Sequence, residues 1–304
     1  MDDERIIVSL TTSPKRIDKI KPVIDCLMNQ TTKPTLIYLN LPHVFKRDGS
    51  TFDKIPDFIE NNKIIIVNRC EDIGPITKIL PTIEKEKNSK NTVIISIDDD
   101  VLHNDDKIET YIKYSRKYPN SVITMKAHYS SIISKNNKGI INKTYFVEGY
   151  AGVLYKTEFF DNFDYSVLDC KSCFLGDDLV ISNHLIKNNI DIRSFTSNGI
   201  KELKLTIEPL GYGEEEDALH SSTFFISKNA INYYKCLNYL KDKNKLCDLY
   251  DTNIYDRLVL VKNIFLLLYN NKYIKYILII LLFIPIIILI IFLFINKCKN
   301  SCNR

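Results

Sequence analysis

The sequence predicts an α/β fold built on a doubly wound, mostly parallel sheet, with a C-terminal transmembrane helix added to it. Three observations lead there. Short apolar, β-branched runs alternate with stretches of helical period through the first third of the chain. One such run, Val93–Ile97, ends abruptly in Asp98-Asp99-Asp100. Far downstream, residues 277–295 contain no charged or strongly polar side chain.

In chain order, Arg5–Thr12 reads as a first buried strand ending in small hydroxyl residues. Such hydroxyls can hold a nucleotide base or ribose, or they can cap the next helix, which Ser13-Pro14 favours. From Arg16 to Asn29 the positions Ile17, Ile20, Val23, Ile24 and Leu27 keep a helical period, with Pro22 as an irregularity. Thr35–Leu41 is a second strand, closed by Pro42, and Phe45–Asn62 a loop with a short helix. Lys63–Asn68 is a third strand. Asp72 or Gly74 then caps a helix that Pro75 starts and that carries Lys78 on its first turn. A helix N-terminus beside a lysine suits a diphosphate, although an Asp and a Lys there also serve as cap and surface charge.

The fourth strand, Val93–Val101, has the character of one buried on both faces. Three adjacent carboxylates at its end repel one another, and a divalent cation would relieve them. Hard oxygen ligands suit Mg²⁺ or Mn²⁺. Ligands of open α/β sheets bind beyond the carboxyl ends of the strands, where these acids fall. A solvated acidic turn capping the next helix is the alternative. Further on, Glu148-Gly149-Tyr150-Ala151-Gly152 reads as a tight turn before a strand, and Gly176-Asp177-Asp178 opens a helix over Leu179–Lys187. Glu208–His220, with Gly211, Gly213 and four consecutive acids, has the composition of a lid loop. Ile226–Leu240 and Ile254–Leu268 are helical in period.

The 304 residues carry 41 bases and 37 acids. Five of the bases (Lys272, Lys275, Lys297, Lys299 and Arg304) and none of the acids lie at or beyond position 272. The remainder is close to neutral, so no nucleic-acid partner is expected. The 19 apolar residues of 277–295, flanked by lysines and by Tyr273 and Tyr276, are long enough to cross a bilayer. Pro285 is tolerated in such a span. The acidic start Met1-Asp2-Asp3-Glu4 is not a signal peptide, so the expectation is a single-pass C-terminal anchor with its folded domain in the cytosol. Eight scattered cysteines, including the lone Cys170-Lys171-Ser172-Cys173 pair, are expected to be free thiols and not a zinc site.

Taken together, Ile7–Thr12, Asp72-Ile73-Gly74-Pro75 with Lys78, the acidic triplet, Glu148–Tyr155 and Gly176-Asp177-Asp178 resemble the GT-A type glycosyltransferases. The set is similar in particular to the family-2-like enzymes of bacteria, protists and large DNA viruses. The resemblance covers roughly residues 5–225 and implies a GT-A-like sheet. It further implies transfer of a sugar from a nucleotide-diphosphate-sugar donor to a hydroxyl of a glycan, lipid or protein acceptor, with inversion. Asp98 would meet ribose or the ion, and Asp100 would bind Mn²⁺ or Mg²⁺ directly. Ser9, Thr11, Arg16, Asp72, Lys78 and Asp99 would line the nucleotide pocket; Glu148, Gly149 and Gly152 would floor the donor-sugar and acceptor site. Asp178 would be the general base, with Asp177 as the alternative, and His220 an added metal ligand.

The expected organisation is a transferase domain over 1–225, a juxtamembrane helical segment over 226–272, the span at 277–295 and a basic tail over 296–304. Two other functions use the same ingredients. A sugar nucleotidyltransferase commonly carries a glycine-rich phosphate loop, and Thr11–Arg16 has no glycine. A membrane-anchored nucleotide-sugar-binding protein without catalysis has no need of all three aspartates.

Overall fold

Ile6, Ile7, Val8 and Leu10 of strand β1 (Arg5–Thr11) are all buried, because β1 runs through a sheet covered on both faces. A computed structural model describes residues 4–125, 139–211, 222–223, 226–248 and 250. Strands β2 (Leu36–Pro42), β3 (Ile65–Cys70) and β4 (Thr92–Ser96) lie parallel to β1, with β2 and β4 on either side of it and β3 outside β2. After a short strand β5 (Val101–His103) come β6 (Ser121–Thr124), β7 (Ile141–Thr144), β8 (Val153–Lys156) and β9 (Asp191–Phe195). The eight-stranded order is β3-β2-β1-β4-β8-β6-β9-β7, in which β8 and β7 run antiparallel to their neighbours. A mixed α/β fold with a large, mostly parallel sheet is thus the observed architecture. Strand β10 (Ile207–Pro209) pairs with β5 outside this sheet.

Helices connect the strands: α1 (Lys21–Met28), a single turn α2 (Asp57–Glu60), α3 (Leu80–Glu86), α4 (Lys107–Lys117), a single turn α5 (Lys171–Phe174), α6 (Asp177–Lys187), α7 (Ser197–Glu202) and α8 (Lys228–Asp242). Pro22 is not an irregularity inside a longer helix. It sits in the first turn of α1, where a missing N–H is tolerated, and the helix begins there instead of at Arg16. The helix expected from Pro75 also begins differently. Residues Pro75–Lys78 form a 3₁₀ turn, and α geometry starts only at Leu80. Lys78 therefore ends the 3₁₀ turn instead of standing on the first turn of an α-helix.

The chain divides into two units, residues 1–247 and 248–304. The first includes α8, which the sequence reading set apart from position 226 onward. Of the second unit only Asp248 and Tyr250 are described. Among the described residues no helix is long and apolar enough to cross a membrane. The expected span 277–295, the helical stretch 254–268, the tail 296–304 and His220 lie outside the described residues.

The cysteines depart from expectation. Cys173 and Cys236 form a disulfide that joins α5 to α8, whereas Cys26, Cys70, Cys170 and Cys247, the other cysteines among the described residues, are thiols. The partner of Cys173 lies 63 residues away in sequence, so no local spacing marks these two as other than free thiols.

Candidate active site

Because β1 to β4 are parallel, their carboxyl ends open on one edge of the sheet, and a cleft of about 490 Å³ lies there. Residues from four separated parts of the chain meet in it. Thr11 ends β1, and Thr12 and Arg16 follow it; Asp72 and Lys78 follow β3; Asp98–Asp100 follow β4; Asp177 and Asp178 begin α6. Tyr150, Leu210 and Tyr233 complete the wall on other sides.

Lys78 joins the two acidic groups. Its ammonium lies 2.9 Å from Asp98 Oδ1 and 3.0 Å from Asp177 Oδ2, and its side chain is nearly inaccessible. Burial works to lower the Lys78 pKa. The carboxylates of Asp177, Asp98 and Asp178 outweigh burial and hold it well above the usual lysine range. Ser9 contributes from behind the cleft. Its hydroxyl is fully buried, donates to the Lys78 carbonyl at 2.5 Å and accepts from Asn40 Nδ2. Ser9 thus holds the 3₁₀ turn, and it does not line the cleft as the sequence suggested. Removing the charge at 78 would leave two carboxylates facing each other's field inside the protein. Lys78→Met should destabilise the domain by about 3–5 kcal/mol, the usual consequence of deleting one partner of a buried ion pair. Urea denaturation of the variant without divalent cations measures it.

The triplet is divided between structure and cleft. Asp99 is buried and accepts from Thr12 Oγ1 at 2.5 Å and from Arg16 at 3.2 Å. Burial raises its pKa, against the pull of Arg16 and Thr12. Asp98 and Asp100 are half-buried and face the cleft. Arg16 also reaches Asp100 Oδ2 at 3.4 Å, while the backbone carbonyl of Asp100 accepts from Leu210 N. Burial, and then the charges of Asp98 and Asp99, push the Asp100 carboxyl up to about 7. Asp72 acts as the cap that its place before Pro75 suggests. Its carboxylate accepts from the amides of Lys46 and Gly74, so it caps the loop before Pro75 while one side borders the cleft. Thr11 Oγ1 donates to the Asn40 carbonyl at the cleft wall.

The segment 148–152 packs against these charges. The Gly149 amide donates to Asp178 Oδ1 at 2.9 Å. A β-carbon on Gly149 would collide with Lys78 Nζ and come within 3.0 Å of Asp178 Oδ1, so a larger residue there would displace the Lys78 ammonium from its aspartates. Gly152 has φ +83°, and a β-carbon there would meet the Lys107 side chain at 2.8 Å. Glu148 is buried and precedes the 3₁₀ turn Gly149–Ala151. Burial, and then Asp177, push the Asp178 carboxyl up to about 8.

No protein-family model matches the chain, and no curated protein matches it. Among the solved structures that resemble it in part are two of one protein. Against S. aureus TarS 1–349 in complex with UDP the identity is 14% over 64% of this chain, with a TM-score of 0.42. Against S. aureus TarS it is 12% over 84% of this chain, with a TM-score of 0.48. This chain spans 58% and 42% of those two chains. The likeness is one of partial shape.

Six carboxylates (Asp72, Asp98, Asp99, Asp100, Asp177 and Asp178) line the cleft against three bases (Arg16, Arg47 and Lys78). With all six carboxyls ionised an anionic ligand would meet a formal surplus of three negative charges, the crowding that pushes the Asp100 and Asp178 carboxyls up. The donor set at Asp98 and Asp100 is hard oxygen and open to the cleft, which fits Mg²⁺ or Mn²⁺. Two aspartates leave the rest of an octahedral shell to water and substrate, and among the described residues no cluster of three ligating side chains forms a cage. Arg47 and Tyr233 line the cleft without having been singled out from the sequence, and Thr12 and Tyr150, which lie within the motif stretches, line it without having been given a role of their own. Nothing near Tyr233 in sequence points to it.

Proposed function

We propose that the chain is a metal-dependent glycosyltransferase that moves a sugar from a nucleotide-diphosphate donor to an acceptor hydroxyl with inversion. One observation carries this reading: acids from the end of β4 and from the start of α6, about 80 residues apart in sequence, converge on one cleft through Lys78. The first group suits a diphosphate-bound cation, and the second suits a general base. Asp98 and Asp100 would hold Mn²⁺ or Mg²⁺, which when bound supplies positive charge for the diphosphate leaving group.

The chain's own residues do the rest. Asp178, its Oδ1 fixed by the Gly149 amide, accepts the proton of the acceptor hydroxyl. The freed oxygen forms a bond to the anomeric carbon, the bond from that carbon to the diphosphate oxygen breaks, and its electron pair leaves with the nucleoside diphosphate. Asp177 is tied to Lys78, and that engagement favours Asp178 as the base. Of the segment 148–152 only Tyr150 lines the cleft, while Gly149 lets the backbone close on Lys78 and Asp178 and so holds the base in place.

The apolar run 277–295 would anchor the chain in a membrane and bring lipid-linked or membrane-bound acceptors within reach. Which side the domain occupies follows the state of Cys173 and Cys236. They are bridged in an oxidising compartment and free in the cytosol, which alkylation before and after reduction distinguishes.

Incubation of the full chain with radiolabelled UDP- and GDP-sugars, with and without Mn²⁺, tests the reading. Metal-dependent release of free sugar, or its transfer, is the expected result. Pyrophosphate exchange would indicate a nucleotidyltransferase, and tight donor binding without turnover an inactive binding protein.

A further inference from the structure

Helix α8 belongs to no sequence motif, yet it reaches the candidate base. The Tyr233 hydroxyl lies 3.2 Å from Asp178 Oδ2, on the opposite oxygen from the one the Gly149 amide holds. Two donors on different oxygens fix both the position and the plane of a carboxylate, where one donor leaves rotation free. The Tyr233 ring is buried and packs edge-to-face with Phe146, ring centroids 5.7 Å apart. It also lies over Gly176, the residue from which α6 starts: a β-carbon there would come within 3.3 Å of the ring. The tyrosine therefore touches both the base and the backbone turn that delivers it.

What holds α8 in this place is visible one turn further on. Cys236 follows Tyr233 by three residues, on the same helical face, and is bridged to Cys173 of α5. Cys173 stands just before Leu175-Gly176, so the bridge ties the helix that carries Tyr233 to the segment that launches Asp177-Asp178. A second clip lies beyond the helix. Asn183 of α6 donates to the Lys245 carbonyl and accepts from the Cys247 amide. The Tyr233 hydroxyl, the bridge and the clip thus all reach α5, α6 or the turn between them.

We propose that Tyr233 is a positioning residue for the Asp178 carboxylate, and that the Cys173–Cys236 bridge acts through Tyr233 by holding α8 against that turn. This rests on the reading of Asp178 as the base of a glycosyl transfer. It predicts that an intact bridge supports turnover and that its loss acts on the same step as loss of the tyrosine hydroxyl.

The test uses the full chain in detergent and the radiolabelled UDP- or GDP-sugar that wild type turns over fastest. Tyr233→Phe keeps the ring and its packing and removes only the hydroxyl. It should lower kcat about tenfold or more, the scale of one hydrogen bond to a charged group, with donor KM unchanged. Cys236→Ser should lower kcat in the same direction. In the double variant the loss should not exceed that of Tyr233→Phe alone, since the bridge then has nothing left to position. A thermal melt separates these effects from unfolding: Tyr233→Phe melts near wild type on this account. Should an active wild type be matched within twofold by Tyr233→Phe, or should the two losses multiply, the proposal is overturned while the transferase reading stands. Should wild type release no sugar from any donor, the reading falls and the proposal with it.

Discussion

Asp178→Asn should lower kcat by about 10²–10⁴-fold while leaving nucleotide affinity within a few-fold of wild type, because a positioned base contributes on that scale to the chemical step alone. The substitution keeps the shape and one acceptor oxygen for the Gly149 amide, so loss of folding is not the expected cause. A second measurement separates base from bystander. Burial, and then Asp177, push the Asp178 carboxyl to about 8, with Asp98 acting in the same direction and Lys78 and the Gly149 amide against it. A raised pKa means the proton is kept below that value, and a base works only without it. In wild type, kcat/KM should therefore climb with pH and level off above about 8. The climb should be missing from Asp178→Asn. A pH profile unchanged by the substitution would assign the titration to another group.

Asp100→Ala is expected to abolish the metal-dependent part of nucleoside-diphosphate binding. Outer partners of metal ligands alone are worth about 10–100-fold in affinity, so loss of a direct ligand should weaken binding by at least about 10²-fold. Stability should move the other way. In the empty cleft Asp100 is pushed up to about 7 by burial and by Asp98 and Asp99, and it shares Arg16 with Asp99. Taking it away removes repulsion and leaves Arg16 its other partner. The empty variant should melt at or above the wild-type temperature. A large fall in stability with only a modest fall in binding would make Asp100 a structural residue.

The fold was legible where one physical signal dominated. Val93–Ile95 and Ile6–Val8 are buried on both faces, and their unbroken apolar character says so without any partner in view. The order of acids at strand ends then located the cleft, since parallel strands bring their carboxyl ends together. Role was less legible than place. The resemblance makes Ser9, Asp72 and Lys78 nucleotide contacts; Ser9 lies behind the cleft on a backbone carbonyl, while Asp72 and Lys78 border it with Asp72 also capping a loop and Lys78 locked between two aspartates. Short-range sequence cannot tell a polar group facing a ligand from one facing another part of its own chain. The Cys173–Cys236 bridge and Tyr233 were invisible for the same reason. Both depend on α8 returning to the site 55 to 63 residues after its partners, and no local pattern encodes that return.

The central claim is that a divalent cation at Asp98 and Asp100 joins a nucleotide diphosphate to a cleft that is otherwise too negative to hold it. Calorimetric titration of the full chain with UDP and with GDP, in Mn²⁺ and again in EDTA, tests it most directly. The account predicts binding of at least one of the two in Mn²⁺, none in EDTA, and none for Asp100→Ala in either buffer. Equal affinity with and without the metal, or no binding of either nucleotide by folded protein in Mn²⁺, would contradict it.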